Sequence, residues 1–433
     1  MAPLRAFLSL LERNPAYRRL FFATVVSLLG DWFSFVAVSG FIVERTGRPG
    51  LAAVLYSASV LPIFFLSPLA GVLADRWDRR RLMVAADLLR VVPVVGLLAA
   101  LSLGSAALAI ACVLAVSAIS AFFEPAAAAA TPNLVDAEDL PLAQAAMGGV
   151  WGSMLFVGAA LGGLAAASLG RQASILIDAA SFVGSALLIA GIRRPFRVST
   201  ARHDSLFGHL REVWRLLGER PVIRALLVTK TGVGVANGIV GLLPAYALAR
   251  FGAGDAGVGM LLGARGLGAL VGPFIARRFA AGDGRRLLLA CGTSILTYSI
   301  AYTFLPLSPS PAVAAGCIFL AHLGGGAQWT LSTYGLQVAT PDELRGRVLA
   351  LDYGVATLAI GLSALGAGAA AEIFGLDAAS WGLAGIGVIY GVAWLLWTKR
   401  LWRGAVDPLS WHVKGTCATR TSRRSRSWDQ PSS

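Results

Sequence analysis

The sequence predicts an all-α membrane protein of twelve transmembrane helices, arranged as two six-helix bundles in a 6+6 pseudo-repeat. Three observations predict it: an apolar composition, a one-sided distribution of basic residues, and an internal repeat at an offset of half the chain. Of the 433 residues, 56% are apolar and 14% are charged. Soluble domains hold about 45–50% apolar and about 25% charged residues. The mean hydropathy is +0.70, and the 50 glycines suit close helix packing inside a bilayer. Most of the chain is therefore expected in lipid.

A spanning helix takes about 20 mostly apolar residues. Twelve segments meet that length: 20–42, 51–73, 82–103, 105–125, 142–168, 172–192, 222–249, 255–276, 287–305, 312–336, 348–372 and 381–400. The sixth and tenth are interrupted by polar positions. Residues 193–221 hold seven arginines together with Trp214 and Leu216, a composition that predicts a connector carrying an amphipathic helix on the membrane surface. The expected organisation is a first bundle over 1–192, a linker over 193–221, a second bundle over 222–400, and a basic, disordered tail over 401–433. Arg5, Glu12, Arg13, Arg18 and Arg19 break up the first twenty residues, so a cleavable signal peptide is not expected.

The charge balance of +14 records topology. Thirty of the 37 Lys and Arg residues fall in the termini, the linker and the even-numbered loops, and only Arg45, Arg48, Arg171 and Arg250 lie on the opposite side. By the positive-inside rule both termini are expected in the cytoplasm. A nucleic-acid partner is not needed to account for the charge.

The chain repeats itself. Gly71-Val72-Leu73-Ala74-Asp75-Arg76 follows the second span and Gly272-Pro273-Phe274-Ile275-Ala276-Arg277 closes the eighth. Val135-Asp136-Ala137-Glu138-Asp139-Leu140 and Ala339-Thr340-Pro341-Asp342-Glu343-Leu344 follow the fourth and tenth spans at nearly the same offset. Parallel duplication of six-helix halves explains both matches.

On these residues the chain resembles the major facilitator superfamily of secondary transporters over about 14–400. Gly71 through Arg76 and on to Arg79, Arg80 and Arg81 is similar to the superfamily's signature loop between the second and third spans. Asp78 stands where that loop has its second glycine, a variant of the enterobactin-exporter-like and macrolide-efflux-like branch. Asn14-Pro15, Gly30-Asp31-Trp32, Asp87-Leu88-Leu89-Arg90, Phe122-Phe123-Glu124-Pro125 and Leu344-Arg345-Gly346-Arg347 point to the same branch. The resemblance implies a gate latch at the cytoplasmic face: Gly71 letting two helices approach closely, Asp75 accepting hydrogen bonds or pairing with an arginine, and Arg76, Arg79 and Arg80 beside it. Asp87 and Arg90, three residues apart on one helix face, are expected to form an ion pair supporting it. In the fifth span, Gly158-Ala159-Ala160-Leu161-Gly162-Gly163 keeps the glycines of the superfamily's drug–proton antiporter element but has Ala159 in place of its proline.

An ionisable group at the bilayer centre costs at least about 2.5–3.5 kcal/mol, so each is a candidate for function. Asp31 is either a proton- and cation-binding carboxylate or a structural hydrogen-bonding acid. Lys230 and Asn237, two helical turns apart, can face one lumen; Lys230 can alternatively snorkel to the interface. Arg265 is the candidate for an anion contact or a charge partner of Asp31. Gln328, Trp329 and Tyr334 are candidates for the cavity wall. Glu124 and Asp178 are expected as anchors or gate contacts, with Glu124 ending the fourth span at Pro125. His322 is expected as a packing residue.

No phosphate-cradling Gly-x-x-x-x-Gly-Lys loop, His-Glu-x-x-His run or Gly-x-Ser-x-Gly elbow occurs, so neither an ATP-driven pump nor an enzyme is expected, and no cofactor or metal. The expected function is proton-coupled efflux of small amphiphilic molecules, drug-like compounds or siderophores, by alternating access in a bacterial inner membrane. The partners are then the substrate, protons and the bilayer. An importer or lipid-handling transporter on the same scaffold is the alternative, and a non-transporting membrane sensor the third reading.

Overall fold

The computed structural model describes residues 2–193, 206–280 and 284–402. It is all helical. A short helix α1 (Ala2–Arg13) precedes six long ones: α2 (Pro15–Thr46), α3 (Pro49–Arg76), α4 (Arg79–Leu103), α5 (Ala106–Leu134), α6 (Leu140–Leu169) and α7 (Arg171–Ala190). After the linker helix α8 (Leu206–Glu219) come α9 (Pro221–Ala236), α10 (Gly238–Ala245), α11 (Gly254–Ala280), α12 (Gly284–Thr303), α13 (Pro311–Ala339), α14 (Asp342–Phe374) and α15 (Leu376–Thr398). Eleven spans among the described residues are long and apolar enough to cross a membrane, with α9, α10 and the turn to Arg250 forming one of them. The twelfth is α13, whose 29 residues suffice in length. His322, Gln328 and three successive glycines dilute its hydropathy.

The seventh span, expected to be continuous over 222–249, is broken at Asn237. Ser363 of α14 closes the break: its Oγ accepts from Gly238 N at 2.9 Å and donates to Val235 O at 2.5 Å. Backbone groups freed inside a membrane must be re-satisfied in this way. The fourth span departs in the opposite sense. Helix α5 does not stop at Pro125 but runs through Pro125 and Pro132 to Leu134, since neighbouring helices make interior prolines tolerable in a bundle. The linker helix buries Val213, Leu216 and Leu217 and leaves Trp214 66% exposed. Its apolar side packs with Ile223, Leu226 and Val348 of the second half. Linker residues 194–205 and tail residues 403–433 lie outside the described residues.

The two ends of the bundle differ. At the far end, where the odd-numbered spans finish, α6 crosses α11 and α3 crosses α14. The repeat equates α3 with α11 and α6 with α14, so the two crossings are pseudo-symmetry mates. Their closeness depends on glycine: a Cβ on Gly163 would lie 2.6 Å from Gly259 Cα. Lipid gives helices no hydrophobic reason to associate, so such backbone approach is what holds the crossing. Arg171 of α7 clamps Asp255 of α11 through Nε at 2.8 Å and Nη2 at 3.0 Å, and pairs with Glu44 at 2.6 Å. Arg48 meets Glu372 at 2.8 Å. At the near end, which carries α1 and α8, the same helices part. Phe65 and Leu69 of α3, Trp151 of α6, Phe274 of α11 and Tyr353 of α14 are all exposed there.

Candidate transport site

Between the halves lies a cavity of about 680 Å³, the size of a drug-like ligand site. It reaches the middle of the spans and is lined from α2, α3, α4, α5, α6 and α7 on one side and α9, α11, α13 and α14 on the other. Its wall is largely aromatic and aliphatic, including Trp32, Phe35, Tyr56, Trp151, Trp329 and Tyr353.

Asp31 lines this cavity from the middle of α2 and has no hydrogen-bond partner among the described residues. The glycine before it has a separate task. A Cβ on Gly30 would stand 2.1 Å from Ser181 Oγ and 2.7 Å from Asp178 Oδ1, so glycine lets α7 press against α2. That contact brings a second carboxylate into the cavity. Asp178, expected as an anchor or gate contact, is buried, lines the cavity and accepts a hydrogen bond from Ser34 Oγ. Glu124 lines it as well, since α5 continues past Pro125.

Arg265 does not pair with Asp31. Its Nη2 donates to Tyr56 OH at 3.2 Å, and the guanidinium lies 5.6 Å from that ring's centroid. Tyr56 of α3 in turn donates to Asn237 Oδ1 at 2.9 Å, and Asn237 Nδ2 donates to Tyr298 OH at 3.0 Å. A polar chain thus ties the first half to the broken seventh span. Lys230 does not snorkel. It is 3% exposed, ion-paired to Asp352, hydrogen-bonded to Thr333 Oγ1 at 2.8 Å, and 4.6 Å from the centroid of Trp329. A desolvated ammonium without these partners would be costly. Trp329 lines the cavity and packs edge-on to Tyr353 at 6.2 Å. Gln328 does not reach it: one residue along the helix turns it about 100° away, and it is fully buried, with neither amide atom partnered among the described residues. Tyr334 is exposed outside the cavity. His322 lines the cavity and shares a hydrogen bond with Tyr302 OH at 2.9 Å.

The signature-loop residues make separate contacts. Gly71 makes no close helix approach; a Cβ there would meet no atom within 4 Å, because the halves are parted at this end. The Asp75 side chain lies outside the described part of the structure. Arg76 is exposed. Arg79 is buried and clasps two helices, donating to Ala74 O at 3.1 Å, Ala129 O at 2.9 Å and Asn133 Oδ1 at 3.1 Å. Arg80 reaches Ile192 O at 2.9 Å. Asp78, the departure from the superfamily's glycine, caps α4 by accepting from Arg81 N at 3.1 Å. Asp87 and Arg90 do form an ion pair, but it serves the inside of the first half rather than the loop. Ser185 donates to Asp87 at 2.6 Å, and Arg90 lies between the rings of Phe182 and Phe123, 4.2 Å and 4.8 Å from their centroids.

The profile of transmembrane secretion effectors matches residues 7–408. The chain belongs to that family, within the major facilitator superfamily. The multidrug efflux pump Tap of Mycobacterium tuberculosis is 30% identical over 390 residues, covering 85% of this chain and 89% of Tap. The Tap pump of Mycolicibacterium fortuitum is 26% identical over 373 residues, covering 83% and 90%. Among solved structures, a bacterial homolog of the human lysosomal transporter Spinster, in an inward-facing, occupied conformation, superposes with a TM-score of 0.69. That likeness, at 14% identity over 90% of this chain and 98% of the other, is one of fold. The protein is thus a multi-pass membrane transporter of a secretion effector family, related to multidrug efflux pumps, and not an enzyme.

Within this family frame three residues of the site are absent from the sequence reading: Tyr56, which lines the cavity, and Asp352 and Tyr298, which partner the lining residues Lys230 and Asn237. Asp352 carried a usable signal, an acid within an apolar run, but the span was drawn from 348 and put it at the edge. Helix α14 starts at Asp342, placing Asp352 ten residues inside.

Proposed function

We propose that this protein is a proton-coupled exporter of small amphiphilic molecules in the bacterial inner membrane, with both termini cytoplasmic. The cavity carries this reading: a drug-sized, aromatic chamber between two halves, with Asp31, Glu124 and Asp178 on one wall. Similarity to the Tap efflux pumps supports outward transport, and the thirty of 37 basic residues in the termini, the linker and the even-numbered loops support assigning the near end to the cytoplasm. In this reading the described state is open to the cytoplasm. Residues 1–192 and 222–400 rock as two bodies about the site, 193–221 links them, and 401–433 trails as a basic tail.

Asp31 is the coupling acid in this scheme. Protonated, it releases a cationic group; ionised, it binds one. The Gly71–Arg80 loop closes the cytoplasmic end when the halves rock the other way. Inverted vesicles given an inside-acid gradient are expected to accumulate a fluorescent cationic amphiphile, and Asp31→Asn is expected to abolish the gradient dependence. Equal gradient-driven accumulation by Asp31→Asn removes Asp31 from coupling, and no accumulation by wild type removes the exporter reading.

A further inference from the structure

Six carboxylic or basic side chains line the cavity among the described residues, and they are divided by type between the halves. Asp31, Glu124 and Asp178 come from the first half; Lys230, Arg265 and His322 come from the second. The bases differ in what already occupies them. Lys230 is neutralised by Asp352, and His322 is held by Tyr302. Arg265 has no carboxylate within ion-pair distance among the described residues. Its polar contact is Tyr56 OH at 3.2 Å, and its Nε is buried without a hydrogen-bond partner.

A guanidinium is always ionised, and it carries a planar fork matched to a carboxylate or phosphate. Left in the middle of a membrane protein with one tyrosine, it lacks the counter-charge that such a position calls for. The missing anion does not come from the described protein. A simple cation bound at the acidic wall leaves Arg265 unanswered and adds a second positive charge opposite it. A simple anion at Arg265 faces three carboxylates. A molecule bearing both charges satisfies both walls at once.

We infer that Arg265 is the anion-binding subsite of the cavity, and that the transported molecules are zwitterionic amphiphiles. Resting on the exporter reading, this assigns the substrate's cationic group to the Asp31 and Glu124 wall and its carboxylate or phosphate group to Arg265. The aromatic residues between them hold the apolar body.

The test uses the full-length protein in nanodiscs and two dyes that share one ring system. Rhodamine B carries a delocalised cation and a carboxylate; its ethyl ester keeps the cation alone. Equilibrium binding of each is read by fluorescence anisotropy for wild type and Arg265→Gln, and the quantity compared is the ratio of the two dissociation constants. Partition differences between the dyes cancel in that comparison. The preference for the zwitterion is expected to fall about tenfold in Arg265→Gln, the scale of one charge-assisted pair. An unchanged ratio overturns the proposal. Where Arg265→Gln fails to insert, Arg265→Met is used: loss of the charge is expected to lower the ratio, and an unchanged ratio again overturns it. Binding needs no gradient, so failure of proton-driven export in vesicles leaves this readout intact. Conversely, an unchanged ratio leaves export of cations standing.

Discussion

A lysine ammonium in a membrane interior needs a counter-charge within reach, and Lys230 has one on the next helix but four. Both members of its pair with Asp352 are almost fully buried. Removing either leaves the other charged and unanswered, which costs about 3–5 kcal/mol, whereas replacing both by apolar groups of similar volume is close to neutral. Asp352→Asn and Lys230→Met are therefore each expected to lower the unfolding midpoint of the purified protein strongly. The double change Lys230→Met with Asp352→Leu should recover most of the loss. Denaturation of the four proteins in one detergent checks this; single variants as stable as wild type would show that the pair does not hold the second half together. Asp87 and Arg90 follow the same rule in the first half, with Ser185, Phe123 and Phe182 completing the shell.

Helices here meet through small residues, and Gly30 shows how one position sets both packing and the site. A methyl group at 30 would lie 2.8 Å from Ser181 Cβ as well as 2.1 Å from its hydroxyl, so turning the hydroxyl away does not relieve the clash. Gly30→Ala is expected to push α7 from α2, displace Asp178 from the cavity and cut transport at least about tenfold. Ser181→Gly in the same chain should restore a large part of it, and a transport assay of the pair is the check. The positions of the helices were legible in the sequence because each depends on its own length and hydropathy. The break at Asn237 was not, because the group that satisfies its freed backbone, Ser363, lies more than a hundred residues away. Nor was the course of α5 past Pro125, which neighbouring helices permit. At the site, Asp31, Lys230, Arg265 and Trp329 were visible as charges or rings in apolar runs. Their partners were not: facing depends on how α2, α3, α11 and α14 rotate against one another. Gln328 and Tyr334, near Trp329 in sequence, point elsewhere because they lie on other faces of α13.

For the whole molecule the question is what holds one end shut while the other stands open. The far end is closed by two glycine-lined crossings and by two ion pairs that join the halves, Arg171 to Asp255 and Arg48 to Glu372. They are unequal. Arg48 is 59% exposed, so its pair is screened by water and contributes at most about 1 kcal/mol. Arg171 and Asp255 are 20% and 9% exposed and meet through two parallel hydrogen bonds, the stronger geometry. The main electrostatic weight of the closure therefore rests on Asp255. In the proposed rocking scheme the halves exchange between two arrangements, so weakening this pair by about 1.4 kcal/mol shifts their populations about tenfold toward the state open at the far end. Ser57 reports that shift: it is buried between α3 and α14, donating to Gly361 O at 2.9 Å. In a chain with its native cysteines replaced, Ser57→Cys is expected to resist a membrane-impermeant maleimide added outside intact cells. Asp255→Asn should raise its labelling rate about tenfold, and Glu372→Gln by less than about threefold. Equal effects of the two changes would place the closing force in the glycine crossings instead. Fast labelling of Ser57→Cys without either change would show that the far end is already open in the membrane.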